Sequence, residues 1–297
     1  MEIYKNYFGP VAENHTNHNF GPLPPVSGPK PPSGNLLPTT QTTTLAPFRS
    51  QAIYQPTPLT NAMKAIILSV LHAFGMEVKP YAKIRKAKEY WIAKRNINTV
   101  IDIGASSGDT IDFFLQICKQ AQVYGFEPQA KVFAGLQKRF ATNTRVTLYP
   151  FALGEKAEEA SMHTNAWHYS SSLLPFGEAS LLHYKQISST MGSETVHIRC
   201  LDAVLDIRQL AKPILVKIDV QGFEDRVIRG GLQLISGADV LLVEMGIKPG
   251  QFGGECNFHD LYTVIHSLGF SFKGVYDQDT SLIDGEVMYL NAIFFKA

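Results

Sequence analysis

The stretch VIDIGASSGDT, residues 100–110, decides the fold. An apolar run ends at Asp102, a turn bounded by Gly104 and Gly108 follows, and residues 109–120 carry the apolar spacing of a helix. A buried strand that passes through a glycine turn into a helix is typical of the first unit of an open parallel sheet, whose ligands bind beyond the carboxyl ends of the strands. The stretch therefore predicts an α/β fold with a ligand site at this turn.

Strand and helix patterns alternate from this unit to the C-terminus. The apolar runs predict strands at 99–104, 121–127, 145–153, 213–219 and 238–245. Between and after them, helical spacing recurs at 109–120, 130–141, 224–235 and 260–269. Runs at 270–277 and 287–297 flank an Asp284-Gly285 turn signal and predict antiparallel strands. This alternation predicts a mostly parallel sheet with helices on both faces, and residues 155–200 form its least regular insertion.

The chain before this domain has a different composition. Residues 1–58 contain runs such as GPLPPVSGPKPP and TTQTTT, which predict a disordered Pro/Thr-rich tail. Residues 59–97 predict a helical segment that begins after Thr60 as N-cap and acts as a lid or a dimer contact. Its first helix presents an apolar face of Met63, Ile66, Ile67, Val70, Leu71 and Phe74. In its second, basic helix, Tyr90 and Trp91 are expected to pack inward.

Composition excludes several classes of protein. A net charge of +1 provides no electrostatic reason to expect a nucleic-acid partner. The three cysteines form no Cys-x-x-Cys pair, so a disulfide framework or a zinc ribbon is not predicted. No run is long and apolar enough for a membrane span, and no basic-then-apolar leader opens the chain. We therefore expect a cytoplasmic protein.

The loop itself distinguishes between two cofactors. Dinucleotide folds use G-x-G-x-x-G, in which the middle glycine lets pyrophosphate lie on the backbone. Here Ser106 occupies that position, and the pattern D-x-G-x-x-x-G resembles the first motif of Rossmann-like S-adenosylmethionine (SAM) methyltransferases. The expected cofactor contacts at the loop are Asp102, Gly104, Ala105, Ser106 and Gly108. An NAD(P)-dependent oxidoreductase remains the alternative.

The ends of the next two strands supply further candidate contacts. Glu127 follows the second strand about twenty residues past the loop, where an acid accepts hydrogen bonds from both ribose hydroxyls. Phe126 and Pro128 are expected to flank the adenine. After the third strand, the backbone of Ala152 or the side chain of Glu155 is expected to reach the adenine amino group.

A second segment carries a family resemblance. Residues 214–231, ILVKIDVQGFEDRVIRGG, resemble the signature of the FkbM family of SAM-dependent methyltransferases. The matching positions are Lys217, Asp219, Gly222 and Glu224, whereas Gln221 stands where the family often has Glu. FALG at 151–154, SSSL at 170–173, IRCLD at 198–202 and Glu244 also resemble the family, and the likeness covers residues 60–297. It implies a seven-stranded sheet with an antiparallel last strand, and methyl transfer to a hydroxyl of a sugar, glycan or natural product.

The chemistry needs a group that positions or deprotonates the acceptor. We expect Asp219 to be catalytic and to contact the cofactor, and His168 to act as general base. Ser171 and Ser172 are expected to hydrogen-bond the cofactor. Asp219 and Glu244 form a possible Mg²⁺ pair, but the sequence offers no third ligand and no metal is predicted. A non-catalytic SAM-binding protein is the remaining alternative.

Overall fold

The computed structural model describes residues 60–73, 90–164, 171–183, 192–281 and 284–297. The chain divides into two units, 1–78 and 79–297. The predicted tail at 1–58 lies outside the described residues. In the part of the chain that is described, no helix has both the length and the apolar character of a membrane span.

The first unit contains one described helix, α1 (Asn61–Ala73). Thr60 caps it as predicted, because the Thr60 hydroxyl accepts a hydrogen bond from the Met63 N–H at 3.3 Å. The described apolar side chains of this helix are exposed, and they are Met63, Ile66, Ile67 and Val70. Phe74 lies outside the described residues.

The second unit contains the predicted α/β domain. Its strands are β1 (Thr99–Ile103), β2 (Gln122–Phe126), β3 (Val146–Tyr149), β4 (Ala152–Leu153), β5 (Glu158–Thr164), β6 (Gly192–Arg199), β7 (Ile214–Ile218), β8 (Val240–Gly246), β9 (Phe270–Thr280) and β10 (Val287–Lys296). Its helices are α2 (Asp109–Ile117), α3 (Ala130–Arg139), α4 (Glu178–His183), α5 (Leu201–Val204), α6 (Glu224–Gly230), α7 (Leu232–Ser236) and α8 (Phe258–Ser267), with a 3₁₀ turn at Ile207–Gln209.

Seven strands form one sheet in the order β3-β2-β1-β7-β8-β10-β9. All neighbouring pairs are parallel except those of β10, which runs antiparallel to both β8 and β9. The prediction of a seven-stranded sheet with an antiparallel last strand is confirmed. The strand order reverses between β1 and β7, and this is the switch point at which open α/β sheets bind ligands.

Both faces of the sheet are covered by helices. Adjacent residues of β10 illustrate this, because neighbouring side chains of a strand point to opposite faces. Ile293 packs in the same apolar cluster as Phe114 of α2. The ring of Phe294 lies 6.0 Å from the ring of Tyr262 on α8. All five residues of both β1 and β7 are buried, so these central strands have no solvent-facing side.

Two predicted elements are each divided in the structure. The predicted strand at 145–153 is wrong as one piece, because β3 belongs to the main sheet and β4 joins a separate three-stranded sheet of order β4-β6-β5. The predicted helix at 224–235 breaks into α6 and α7 at the Gly230-Gly231 pair. A Cβ at Gly230 would lie 1.8 Å from the Gly154 carbonyl oxygen, so a close backbone contact explains the glycine.

The insertion at 155–200 is more regular than expected. β5 and β6 pair antiparallel over seven residues and form a ribbon beside the main sheet. The end of the helix before β1, residues 90–93, also differs from expectation. Trp91 packs inward, and a Cβ at Gly274 would come within 2.4 Å of its ring. Tyr90 is wrong as an inward residue, since it is 53% exposed and accepts a hydrogen bond from the Lys94 ammonium.

Candidate active site

The loop after β1 passes very close to the loop after β7. Gly104 has φ +84, and a Cβ there would lie 1.9 Å from the backbone oxygen of Asp219. A side chain at position 104 is therefore excluded both by the contact with the Asp219 backbone and by the positive φ. Gly108, with φ +88, begins α2 against α3, because a Cβ there would lie 2.7 Å from Leu136. The first glycine brings two strand ends together, and the second packs two helices.

A cleft with about 640 Å³ of empty space lies at the carboxyl ends of β1, β2 and β7. Eight of the predicted site residues line it, namely Gly104, Ser106, Phe126, Glu127, Pro128, Ala152, Ser171 and Asp219. The lining residues that sequence reasoning missed include Gln129, Phe151, Met162, Leu173, Val220 and Gln221.

Four predicted contacts do not line this cleft. Asp102 is fully buried and forms an ion pair with Lys217 at 3.4 Å. Ala105 packs in the apolar core, and Gly108 packs against α3. The Ser172 hydroxyl donates to the Gln221 carbonyl at 2.6 Å, so Ser172 holds a neighbouring loop in place.

Glu127 is anchored by the backbone around it. It is 3% exposed. One carboxylate oxygen accepts from the Ser106 N–H at 3.0 Å and the other from the Gln129 N–H at 2.8 Å. Burial raises the pKa of Glu127 to about 7, and the hydrogen bonds from Gln129 and Ser106 oppose that rise. A carboxylate accepts about four hydrogen bonds, so Glu127 retains acceptor capacity for ligand hydroxyls.

Aromatic rings form an apolar wall beside Glu127. The ring of Phe126 stacks on Tyr149 at 4.7 Å and lies 5.8 Å from Phe151. The guanidinium of Arg199 lies 4.7 Å from the Phe151 ring centre, on the β6 side. An apolar wall next to a hydroxyl-binding carboxylate suits a nucleoside, with a planar base against the rings and a ribose at the acid.

At the end of β7, one buried ammonium lies between two carboxylates. The Lys217 nitrogen is 3.1 Å from Asp219 and 3.4 Å from Asp102, and its side chain is 7% exposed. Burial opposes the charge on Lys217, but the two carboxylates outweigh burial and raise its pKa. Burial raises the pKa of Asp102, and the Lys217 charge opposes this effect. The ion pair therefore ties β1 to β7 directly beneath the cleft.

Asp219 also belongs to a hydrogen-bonded group with Gln221 and Glu244. The Gln221 amide nitrogen donates to Asp219 at 3.0 Å and to Glu244 at 2.7 Å. Burial opposes ionisation of Asp219, but Lys217 and the hydrogen bonds of Gln221 outweigh burial and lower its pKa. Burial and then the charge of Asp219 raise the pKa of Glu244 well above its ordinary value. The surroundings thus favour the ionised form of Asp219 and the protonated form of Glu244.

The turn after β7 is held by Glu224 at the start of α6. Its carboxylate accepts from the Val220 N–H at 3.1 Å and the Gly222 N–H at 3.2 Å. Burial raises the pKa of Glu224 to about 7. Glu224 therefore fixes the loop that carries Asp219 and Gln221 into the cleft.

The segment 171–174 borders the cleft next to this turn. The Ser171 hydroxyl donates to the side-chain oxygen of Gln129 at 3.3 Å, and both residues line the cleft. His168 lies outside the described residues. Among the residues that are described, no group of three or more His, Cys, Asp or Glu side chains is arranged to hold a metal ion.

A second cleft lies on the other side of Asp219. It has about 690 Å³ of empty space, and Asp219 lines both clefts. Polar groups of three strands border it, among them Lys217, Asp277 and Asn291, and the aromatic side chains of Phe113 and Tyr276 also line it. Asp219 is therefore a residue that the two clefts share.

The strand order, the glycine turn after β1 and the acid after β2 define a Rossmann-like α/β domain with a cleft at its switch point. The family model of the methyltransferase FkbM domain matches residues 102–272, more than half of the chain. The chain belongs to this family of methyltransferases. The family resemblance seen in the sequence is thus confirmed.

One curated relative and two solved structures give further comparisons. The 2-O-methyltransferase NoeI of Sinorhizobium fredii (strain NBRC 101917 / NGR234) is 26% identical over 145 residues, which are 46% of this chain and 58% of NoeI. The match therefore spans less than two thirds of that relative.

Both solved structures are methyltransferases by title and are similar to this chain at low scores. The 1,6-didemethyltoxoflavin-N1-methyltransferase of Burkholderia thailandensis is 12% identical, with a TM-score of 0.37, over 82% of this chain and 93% of that one. A SAM-dependent methyltransferase from Aquifex aeolicus is 10% identical, with a TM-score of 0.36, over 74% of this chain and 100% of that one. Both likenesses are too low to bear on function.

Proposed function

We propose that this protein is a SAM-dependent O-methyltransferase whose acceptor is a hydroxyl of a sugar, glycan or natural product. The observation that carries the proposal is the cleft at the switch point, which Glu127 and Asp219 line together with aromatic side chains. NoeI, by name a 2-O-methyltransferase, supports oxygen as the methylated atom.

The residues of the first cleft fit SAM. Glu127 accepts hydrogen bonds from the ribose hydroxyls, and Phe126, Pro128 and Ala152 border the adenine. The loop at 104–106 and the ionised Asp219 receive the methionine end, whose ammonium group the carboxylate attracts. When bound, SAM supplies an electrophilic methyl group on a sulfonium.

The second cleft is the proposed acceptor side. Asp277 and Asn291 provide hydrogen-bonding groups for a polyhydroxylated ligand, and Tyr276 provides a ring against which a sugar packs. Because Asp219 lines both clefts, it is placed to accept a hydrogen bond from the acceptor hydroxyl and to orient the attacking oxygen. Positioning of this kind supplies much of the rate of a displacement on an activated methyl group.

The lowered pKa of Asp219 defines its role more closely. A weakly basic carboxylate does not remove a proton from a free alcohol at neutral pH. The same carboxylate readily receives the proton once the oxygen begins to bond to the methyl group, because the hydroxyl then becomes strongly acidic. Asp219 therefore orients the hydroxyl first and takes its proton late, with His168 as the proposed additional base.

Calorimetry with SAM, S-adenosylhomocysteine (SAH) and NAD tests the cofactor assignment. We expect SAM and SAH to bind and NAD not to bind. Tight NAD binding without SAM binding would overturn the proposal in favour of an oxidoreductase.

Transfer of a labelled methyl group from SAM to a panel of methyl glycosides and to cell-extract glycans tests catalysis. We expect label in an alkali-stable ether. SAM binding with no transfer to any fraction would favour the non-catalytic alternative, and an Asp219→Asn chain serves as the inactive control.

A further inference from the structure

The side chain of Gln221 bridges two carboxyl groups at the end of the sheet. Its amide nitrogen lies 3.0 Å from an oxygen of Asp219 and 2.7 Å from an oxygen of Glu244. A primary amide nitrogen carries two hydrogens, so one hydrogen serves each carboxyl group. The two acids come from β8 and from the turn after β7, and the amide joins these elements.

The backbone at Gln221 adopts an unusual conformation. Its φ is +58, a left-handed value that is unfavourable for a residue with a side chain. Ser172 donates to the Gln221 carbonyl at 2.6 Å, and Glu224 accepts from the N–H groups on either side of Gln221. The turn is therefore held by its surroundings in the shape that returns the side chain toward Asp219.

The two carboxyl groups also contact each other through a side-chain hydrogen bond, and the Asp219 side chain is 27% exposed. Lys217 forms an ion pair with Asp219 Oδ2 at 3.1 Å, whereas Gln221 donates to Asp219 Oδ1. Oxygen-lined sites of this kind commonly hold a divalent cation between the acids. Here the N–H donors of the Gln221 amide face one oxygen of each carboxyl group, and donors in that place would repel a cation.

We propose that Gln221 is a positioning residue whose amide holds Asp219 and Glu244 together in place of a divalent cation, so that the site works without one. This inference rests on the proposed function, because it concerns how the carboxylate that meets the acceptor is held. It also gives a physical role to the glutamine that replaces the usual glutamate of the family signature.

Replacement of the Gln221 amide by a carboxyl group distinguishes this positioning role from a role in packing alone. Gln221→Glu keeps the shape, removes both donors and adds a third carboxyl group to the pair. Three carboxyl groups converging on one point suit Mn²⁺ or Mg²⁺, which take oxygen ligands. The variant is therefore expected to need a cation where the wild-type chain does not.

Mn²⁺ binding to the full chain, followed by electron paramagnetic resonance, tests the proposal. We expect no saturable binding by the wild-type chain and one Mn²⁺ per chain in Q221E. Mn²⁺ should also raise the Tm of Q221E and restore its lost methyl transfer, whereas EDTA should leave wild-type transfer unchanged. Gln278→Glu, which adds the same charge at an exposed site on β9, is the control and should behave as wild type.

Saturable Mn²⁺ binding by the wild-type chain that is lost in D219N would overturn the proposal, even if Q221E cannot be obtained folded. A folded Q221E that gains no cation, or a Q221E that stays unfolded when Mn²⁺ is supplied, would also overturn it. Calorimetry with SAH on the wild-type chain distinguishes a failure of the role proposed for Gln221 from a failure of the proposed function. A chain that binds SAH and also Mn²⁺ contradicts only the role of Gln221, and a chain that binds no SAH contradicts the proposed function.

Discussion

At the scale of single residues, the site depends on carboxyl groups whose pKa values are shifted in opposite directions by their surroundings. Glu127 and Asp219 line the same cleft, yet burial raises the pKa of Glu127 to about 7 while Lys217 and Gln221 keep Asp219 ionised against burial. The difference follows from the charge of the partners, because the donors of Glu127 are uncharged groups of Ser106 and Gln129, whereas Asp219 has an ammonium within 3.1 Å. One acid is thus suited to pH-dependent binding, and the other keeps its charge.

The first prediction concerns Glu127 and pH. Ribose hydroxyls donate to the ionised form, so protonation of Glu127 opposes SAH binding. SAH affinity should be constant above about pH 8 and fall as the pH drops below the pKa of about 7, by up to about tenfold per pH unit. Calorimetry across this range measures the effect.

Glu127→Gln should bind SAH more weakly at pH 8 and show little change across the same pH window. Glu158→Gln, at an exposed position of β5, should keep the wild-type profile. If the SAH affinity of E127Q still fell with pH as steeply as that of the wild-type chain, a group other than Glu127 would govern the titration.

The second prediction concerns His168, which remains a prediction from the sequence. If it is the additional base, His168→Ala should lower methyl transfer by about 10²-fold or more. SAH affinity should stay unchanged because the base acts on the acceptor. His259→Ala, exposed on α8, is the control. Near-normal turnover in H168A would remove His168 from the reaction.

The sequence alone predicts that a residue lines the cleft where that residue directly follows its own strand. Glu127 and Asp219 are recognisable in this way, since each ends an apolar run and carboxyl ends of parallel strands meet at one edge. Asp102 shows the limit. The direction in which the Asp102 side chain points depends on Lys217, its register partner on β7, which lies more than a hundred residues away in the chain. The bridging role of Gln221 likewise depends on Glu244 from another strand, so no local pattern reveals it.

At the scale of elements, the contact between the loops after β1 and β7 builds the cleft. A third prediction follows from its geometry. Gly104→Ala places a methyl group 1.9 Å from the Asp219 backbone oxygen at a φ of +84. Either the loops separate or the chain loses stability, by roughly 2 kcal/mol or more. Denaturant unfolding and SAH calorimetry should both show the loss.

Gly135→Ala provides the matched control within the same domain. It lies in α3, and a Cβ there would meet nothing within 4 Å. Alanine favours helix, so this change should stabilise the fold by about 0.5–1 kcal/mol. Equal effects of the two substitutions would contradict the argument that contact at Gly104, and not glycine as such, is what matters.

At the level of elements, the sequence predicted the parallel sheet correctly. Prediction failed where contacts with residues distant in the chain determine which strands pair. The alternation of apolar runs and helical spacing predicts β1, β2, β7 and β8, because these strands are buried on both faces. It cannot show that 145–153 changes sheets between Tyr149 and Ala152, since both halves are apolar. The pairing of β5 and β6 into a ribbon was not predicted, because both strands are mostly exposed and only β6 alternates, with Val196 and Ile198 buried.

At the scale of the whole molecule, a domain with a real cofactor site should be stabilised by that cofactor. A ligand that binds only the folded state adds about 2.7 kcal/mol at a hundred times its dissociation constant. For a domain the size of residues 79–297, each kcal/mol raises the Tm by about 2–4 °C. SAH at that concentration should therefore raise the Tm by about 5–11 °C, measured by scanning calorimetry, and NAD should not change it. Because the cleft joins β1, β2 and β7, the whole transition should shift as one. A shift confined to part of the transition, or one produced equally by NAD, would mean that the cleft is not the SAM site that its lining residues suggest.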